Sequence, residues 1–396
     1  MADYSVRKGI TQIEDYAVET VAADIILNAN ENNFPMPEAV AAAINAKTAS
    51  FPFNRYPPVK AEMLSEAIAE ELELDSDCIR IGNGSAELLR MACYVFGGPG
   101  KKIAVPFPSI SLYGELAALS DSDVLQYPLN EDGYLDADTL LDFYEQEHPD
   151  VIVICNPHNP TGNYNPLYVV EKIISNIECP ILVDEAYMEF ADGSEVPPGD
   201  MRPLQKLWLV AGSALCLLPK YSNLIVFRSF SKAYGLAGLR CGYAAGTVGI
   251  IRQLGKALLP YQVNAYTLMI AKTVYDNKQL YKEQLKLVRQ ERARVIEYLE
   301  KLGFMVYQSR ANFICCKATG GIKIKLSEKY CEEYEANLSE DEAAGKLLFR
   351  YLLENGILVS DFTSMPSLDG CLRITIGTPE ENSVLLTKIT ELVVGL

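Results

Sequence analysis

Lys232 stands in the run Arg228-Ser229-Phe230-Ser231-Lys232-Ala233-Tyr234-Gly235, and Arg240 follows a few residues later. A lysine amine attacks a carbonyl only when part of it is unprotonated, which a packed pocket or a neighbouring cation achieves. Ala233, Gly235, Leu236, Ala237 and Gly238 are small or apolar and suit such a pocket. Ser229, Ser231 and Arg240 add two hydroxyls and a guanidinium, a donor set for a phosphate. Taken alone, a Ser-Lys pair is ordinarily solvent-facing surface. Its company argues otherwise.

Asp184 follows the apolar run 180–183 and opens Asp184-Glu185-Ala186-Tyr187, while Asn159-Pro160-Thr161-Gly162 follows the apolar run 151–155. Both runs read as buried strands, and open α/β sheets place their ligand contacts at such C-terminal strand ends. An Asn-Pro-x-Gly run by itself is turn chemistry. Here a carboxylate to keep a ring nitrogen protonated, a phenol and an amide for a ring oxygen, an amine and a phosphate donor set fit the edges of one molecule, pyridoxal phosphate, whose protonated ring is an electron sink. Gly84, Ser85 and Ala86 precede the periodic Leu88, Leu89, Met91, Ala92 and Val95, so their amides are expected at a helix start, a natural anion site. Ser85 as a simple N-cap is a compatible reading.

The elements that must carry these residues alternate. Strand-like runs at 103–105, 151–155, 181–183 and 224–227 are separated by helix-like stretches between about 79 and 245, which predicts an α/β unit with a mainly parallel sheet covered by helices. Residues 279–302 read as one long amphipathic helix burying Leu280, Leu285, Leu287, Val288, Val295, Ile296, Leu299 and Leu302. Beyond Gly303 the pattern shortens to strands at 312–316, 357–359 and 372–376 with helices at 343–353 and from about 380, a smaller α+β domain. The expected division is a large cofactor-binding domain over 46–290 and a small C-terminal domain over 291–396.

In order along the chain come Leu27-Asn28-Ala29-Asn30-Glu31-Asn32, Asn54-Arg55-Tyr56-Pro57, Gly82-Asn83-Gly84-Ser85-Ala86-Glu87, the three motifs above, and Gly370-Cys371-Leu372-Arg373-Ile374-Thr375-Ile376-Gly377. That ordered set resembles the fold type I pyridoxal phosphate aminotransferases, with the aspartate aminotransferase-like architecture, and within them the histidinol-phosphate aminotransferase branch. The resemblance implies that Lys232 carries the cofactor and moves the substrate proton, that Asp184 pairs with the ring nitrogen, and that Tyr187 and Asn159 bind the ring oxygen. It assigns the phosphate to Gly84, Ser85, Ala86, Ser229, Ser231 and Arg240, with Tyr56 reaching the phosphate of a neighbouring subunit, hence a homodimer. Arg373 would clamp the substrate carboxylate or phosphate, helped by Asn30 and Tyr16, and residues 1–45 would form an N-terminal arm packing with the small domain. An arginine inside a strand-like run is costly unless paired or functional, so a structural ion pair is the other reading of Arg373.

Two positions depart from the family pattern. Ile110 occupies the place of the aromatic that stacks on the cofactor ring, and its aliphatic side chain can cover but not stack. Tyr113, nearby, falls where relatives place a partner of the aspartate. Ser360 stands where histidinol-phosphate enzymes carry a further arginine, so a doubly charged phosphate is the poorer ligand and a carboxylate on Arg373 the better one. Insertions at 192–223 and 319–341 border the site. The implied reaction moves an amino group between an amino acid, or a histidinol-phosphate-like amine, and a 2-oxo acid. A decarboxylase or lyase on the same scaffold, and a non-catalytic relative, are the alternatives.

Composition argues against nucleic acid as a partner; the small-molecule donor and acceptor are what the resemblance implies. With 35 basic against 52 acidic residues the net charge is −17, and no basic stripe suits nucleic acid. Ten cysteines lack Cys-x-x-Cys spacing and read as reduced thiols of a cytoplasmic protein. His148 and His158 are the only histidines, too few for a histidine metal site or a Ser-His-Asp triad, and no metal is expected. The acid-rich piece 328–342 reads as a solvated face. The N-terminus shows no signal peptide. Residues 207–218, which hold Trp208, fall short of the roughly 20 apolar residues of a membrane span and read as a buried helix or a pocket element.

Overall fold

The computed structural model describes residues 6–11, 13, 21–191, 212–330 and 338–395. Two compact units make up the chain, one from residues 1–17, 36–156 and 165–281, the other from 18–35, 157–164 and 282–396. The short strand β1 (Ile25–Ile26) belongs to the second unit.

The first unit is built on seven strands, β2 (Ile79–Gly82), β3 (Lys102–Phe107), β4 (Asp123–Pro128), β5 (Val151–Cys155), β6 (Ile181–Asp184), β7 (Leu224–Ser229) and β8 (Gly242–Gly246). Their order is β2-β8-β7-β6-β5-β3-β4. Only β8 runs against its neighbours. All residues of β5, β6 and β7 are buried, as expected for β-branched runs covered by helices on both faces. Leu88, Leu89, Val105, Val153, Leu182 and Phe227 meet in one core, with the partly buried Ile110 packed against it. Strand β8 falls outside the sequence pattern because Gly-Tyr-Ala-Ala-Gly lacks both alternation and a bulky apolar run.

The second unit has a four-stranded antiparallel sheet, β9 (Met305–Val306), β10 (Phe313–Lys317), β12 (Ser360–Asp361) and β13 (Cys371–Thr375), in the order β12-β13-β10-β9. Strand β1 pairs in parallel with β11 (Ile357–Leu358). The helices Glu340–Glu354 and Pro379–Val394 each open with a complete capping box, Ser339 with Glu342 and Thr378 with Glu381, which satisfies two otherwise orphaned backbone donors apiece. The long amphipathic helix begins at Lys282, not 279. A 3-10 turn over Lys278–Tyr281 precedes it and leaves Leu280 46% exposed instead of buried.

The nine cysteines among the described residues are thiols, eight of them buried, where they act as small hydrophobes. Cys331 and Trp208 lie outside the described residues. No helix among those residues is long and apolar enough to cross a membrane.

Candidate active site

The helix Ser85–Phe96 takes Gly84, not Ser85, as its N-cap, and no side chain caps it. Its first amides therefore face outward at the positive end of the helix dipole. Gly84 sits at φ 84°, and a Cβ there would come 2.8 Å from the Arg240 Nη2. The guanidinium thus lies directly over the helix start. Arg240 Nη1 also donates to Ser231 Oγ at 3.4 Å, and the Ser231 amide donates to Ser229 Oγ at 3.1 Å. Gly242, the first residue of β8, has room for no side chain, since a Cβ would meet the Ser85 nitrogen at 2.5 Å. Amides, two hydroxyls and a guanidinium converge here within one unit, and that donor set fits a phosphate. Gly84→Ala adds both left-handed strain and the clash with Arg240; the cofactor dissociation constant, measured by dialysis, is expected to rise about tenfold or more.

Asp184 ends β6 and is buried. Tyr113 donates its hydroxyl to Asp184 Oδ2 at 2.9 Å, and the Ala186 amide donates to Oδ1 at 3.1 Å. Burial pushes the carboxyl up to about 6, against the pull of those two donors. Burial also holds the Tyr113 phenol well above its ordinary value, so it remains a donor. A carboxyl so poised gains most from a positive partner, and a protonated ring nitrogen is such a partner. Lys232 Nζ lies 6.0 Å from the centre of the Tyr187 ring, and the lysine charge also acts on Asp184. Amine, phenol, carboxylate and phosphate cradle thus all belong to the first unit, and together they fit pyridoxal phosphate.

Sequence reasoning missed the network that holds these strand ends. Arg228, 1% exposed, donates from Nε to Glu185 Oε2 at 2.9 Å and from Nη1 to Glu189 Oε1 at 2.8 Å. Ser213 Oγ and the Ala214 amide donate to the two oxygens of Glu185, at 2.5 and 2.7 Å. Burial works against the Arg228 charge, but Glu189 and Glu185 more than offset it and leave the guanidinium above its ordinary value. Arg228 thereby ties the residue after Asp184 to the strand that ends at Ser229. The signal was present: Arg228 extends the apolar run 224–227, as Arg373 interrupts its own. The described end of the 207–218 segment is a buried 3-10 turn, Ala214–Leu217, rather than a helix. Arg228→Met would strand two buried carboxylates and is expected to cost about 3–5 kcal/mol of stability, read from denaturant midpoints.

In the second unit Arg373 sits mid-β13, opposite Cys315 on one side and Ser360 on the other. Its Nη1 donates to Asn159 Oδ1 at 2.8 Å, and its Nη2 donates to the Asn28 carbonyl at 2.6 Å and to Ser360 Oγ at 3.3 Å. The Phe313 and Phe362 rings lie 5.6 and 5.2 Å from its Cζ. Because a guanidinium only donates, the Asn159 amide must present its oxygen to Arg373, which fixes the direction of its NH2 group. Asn30 is buried at φ 53°, its amide donating to Thr375 Oγ1 at 3.0 Å and its carbonyl accepting from Asn312 Nδ2 at 3.1 Å. It therefore fixes the N-terminal segment on β13. Tyr16 lies outside the described residues. Tyr56, in the first unit, is 82% exposed and stacks on Tyr261 with ring centres 4.6 Å apart.

Residues 23–389 match the family of class I and II aminotransferases. The chain belongs to that family. The histidinol-phosphate aminotransferase of Ruminiclostridium cellulolyticum is 31% identical, with 98% of each chain covered. That of Thermoanaerobacter pseudethanolicus is 32% identical, with 99% of each covered. The solved histidinol-phosphate aminotransferase of Sinorhizobium meliloti, in complex with pyridoxal-5'-phosphate, has a TM-score of 0.79 at 20% identity, covering 100% of this chain and 99% of that one. This aminotransferase is a pyridoxal phosphate-dependent transaminase of fold type I that acts on small molecules.

Proposed function

We propose that this aminotransferase exchanges an amino group between an α-amino acid and a 2-oxo acid, with Arg373 receiving the substrate's anionic end. The observation that carries this reading is the neighbourhood of Arg373: a guanidinium braced by Asn159, the Asn28 carbonyl and two aromatic rings, with the hydroxyl of Ser360 as its strand partner. Bound at Asp184 and the Gly84–Arg240 cradle, pyridoxal phosphate supplies an electron sink for the carbanion left when the α-proton is removed. Lys232 would take that proton and return it, Asp184 would keep the ring nitrogen charged, and Tyr187 and Asn159 would hold the ring oxygen. Ile110 would cover the ring by packing alone. Histidinol phosphate, the amine suggested by the relatives' names, meets one guanidinium and a serine, so it is expected to react more slowly than an amino acid.

The test is a single-turnover panel on holoenzyme with glutamate, alanine, aromatic amino acids and histidinol phosphate. One equivalent of 2-oxo acid released without carbon dioxide supports the reading; carbon dioxide release, or no oxo acid from any donor, would refute it. Arg373→Gln should raise KM for the preferred amino acid on the order of 100-fold, through loss of a charge-assisted pair. Exposed Tyr56, Phe53 and Leu259 support a homodimer in which Tyr56 serves the neighbouring subunit. Light scattering checks the mass, and Tyr56→Ala is expected to weaken cofactor retention. The buried thiols are consistent with a cytoplasmic enzyme.

A further inference from the structure

A second concave site lies in the first unit, and no residue of the cofactor cradle lines it. The cavity holds about 350 Å³ between the segment 58–61, strand β2, the helix Val248–Lys256 and the segment 258–263. Its size is at the lower end of small-molecule pockets, which run from about 300 to 1,000 Å³. Lys60, Arg80, Arg252 and Lys256 line it, and Asp77 is the carboxylate among the lining groups. In a chain of net charge −17 this is a local inversion of sign.

Lys60, Arg80 and Arg252 act together on Asp77, while Lys256, on the same wall, donates from Nζ to Gln253 Oε1 at 2.7 Å. Lys60 Nζ donates to Asp77 Oδ1 at 2.9 Å, and that bond, with Lys60, Arg80 and Arg252 acting through their charges, holds the Asp77 carboxyl below the usual carboxylate range. Asp77 is thus already taken by Lys60, and Glu62, whose charge also reaches Arg80, accepts from the Lys60 amide at 3.2 Å. Four cations therefore face two carboxylates. Arg80 is the anchor: it projects from mid-β2, and a Cβ on Gly255 would come 2.8 Å from its Nη2. Its Nε is buried without a hydrogen-bond partner among the described residues, and burial pulls the guanidinium below its ordinary value. A desolvated guanidinium that lines a cavity with unspent donors calls for an acceptor. The facing wall is fixed in place, because Gln262 Nε2 donates to the Ile81 carbonyl at 3.0 Å and Asn83 Nδ2 donates to the Gln262 carbonyl at 3.1 Å.

We infer that this pocket binds a small multiply charged anion of the phosphate-ester class, gripped by Arg80 and Arg252 and neutralised by Lys60 and Lys256. Guanidinium pairs match the oxygens of a phosphate, and the surplus of positive charge favours a dianion over a monocarboxylate. Leu259 on the pocket rim belongs to the apolar patch assigned above to the subunit contact, and Tyr261 stacks on Tyr56 of that patch, so the site is tested in the assembled holoenzyme.

The probe is inorganic pyrophosphate, titrated calorimetrically into holoenzyme, whose cradle the cofactor phosphate already fills. One equivalent is expected to bind per chain, with an affinity that falls steeply as salt rises. Arg252→Gln combined with Lys256→Gln removes two exposed cations without touching the core and should raise the dissociation constant about tenfold or more, at unchanged melting temperature and subunit mass. Arg373→Gln should leave binding intact. The proposal is overturned if pyrophosphate does not bind, if the double variant binds it as wild type does, if Arg373→Gln abolishes binding, or if the double variant dissociates the subunits while pyrophosphate affinity stays the same.

Discussion

Replacing Lys232 by alanine is expected to lower kcat by on the order of 10⁴-fold or more. In the proposed reading the amine has two duties, covalent attachment of the cofactor and carriage of the substrate proton, and alanine would remove both. Structure should survive the change. Lys232 is only partly buried, while the neighbouring Ser231, Ala233 and Tyr234 carry the packing. Borohydride treatment followed by peptide mass spectrometry should find the cofactor on the Lys232 peptide of wild type and nowhere in the variant. A small exogenous amine should restore part of the proton transfer, which distinguishes a missing base from a collapsed site. Turnover at the wild-type rate in Lys232→Ala would dismiss the assignment of this residue.

Asp184→Asn should lower kcat by on the order of 100-fold or more, since asparagine cannot hold the ring nitrogen charged. The same residue gives the cofactor-free protein a particular dependence on pH. In that state the buried carboxyl titrates at about 6, against 3.8 for the unperturbed group. Between those values the folded chain holds a proton that the unfolded chain has released. The stability contributed by Asp184 is therefore complete below about pH 4 and lost as pH rises through about 6, a change of about 3 kcal/mol. A bound ring cation favours the carboxylate and draws its titration back down, so the holoenzyme should lack this slope. Melting temperatures of apo and holo protein across that window check both statements. Parallel curves for apo wild type and apo Asp184→Asn would show that another group carries the pH dependence.

Much of the cofactor half of this protein is legible in the order of its residues. The runs 151–155, 181–183 and 224–227 are apolar on both faces, as a covered parallel sheet accommodates, and Asp184 occupies a strand terminus in the fold as it does in the pattern, while β7 runs two residues past its apolar run to Ser229. Strand β8 escapes because its glycines and alanines carry no period. The Arg228 network escapes because a pairing between Glu185, Glu189 and Arg228 spans strands that neighbour one another only after folding. Asn159 shows the same limit from the other side. The motif marks it as a cofactor ligand, but nothing in the motif reveals that Arg373 claims its amide oxygen.

The sequence by itself determined the chemistry: an amine, a carboxylate, a phenol and phosphate donors in a fixed order, each at the end of a run whose hydrophobic period is local and readable. The tertiary structure alone decided the electrostatics. The rise of the Asp184 carboxyl to about 6, the seat of Arg240 over Gly84, the bracing of Arg373 and the cationic pocket around Arg80 all depend on burial and on pairs far apart in the chain. Period along the sequence records which face of an element is covered. It carries no record of which distant charge or hydroxyl does the covering.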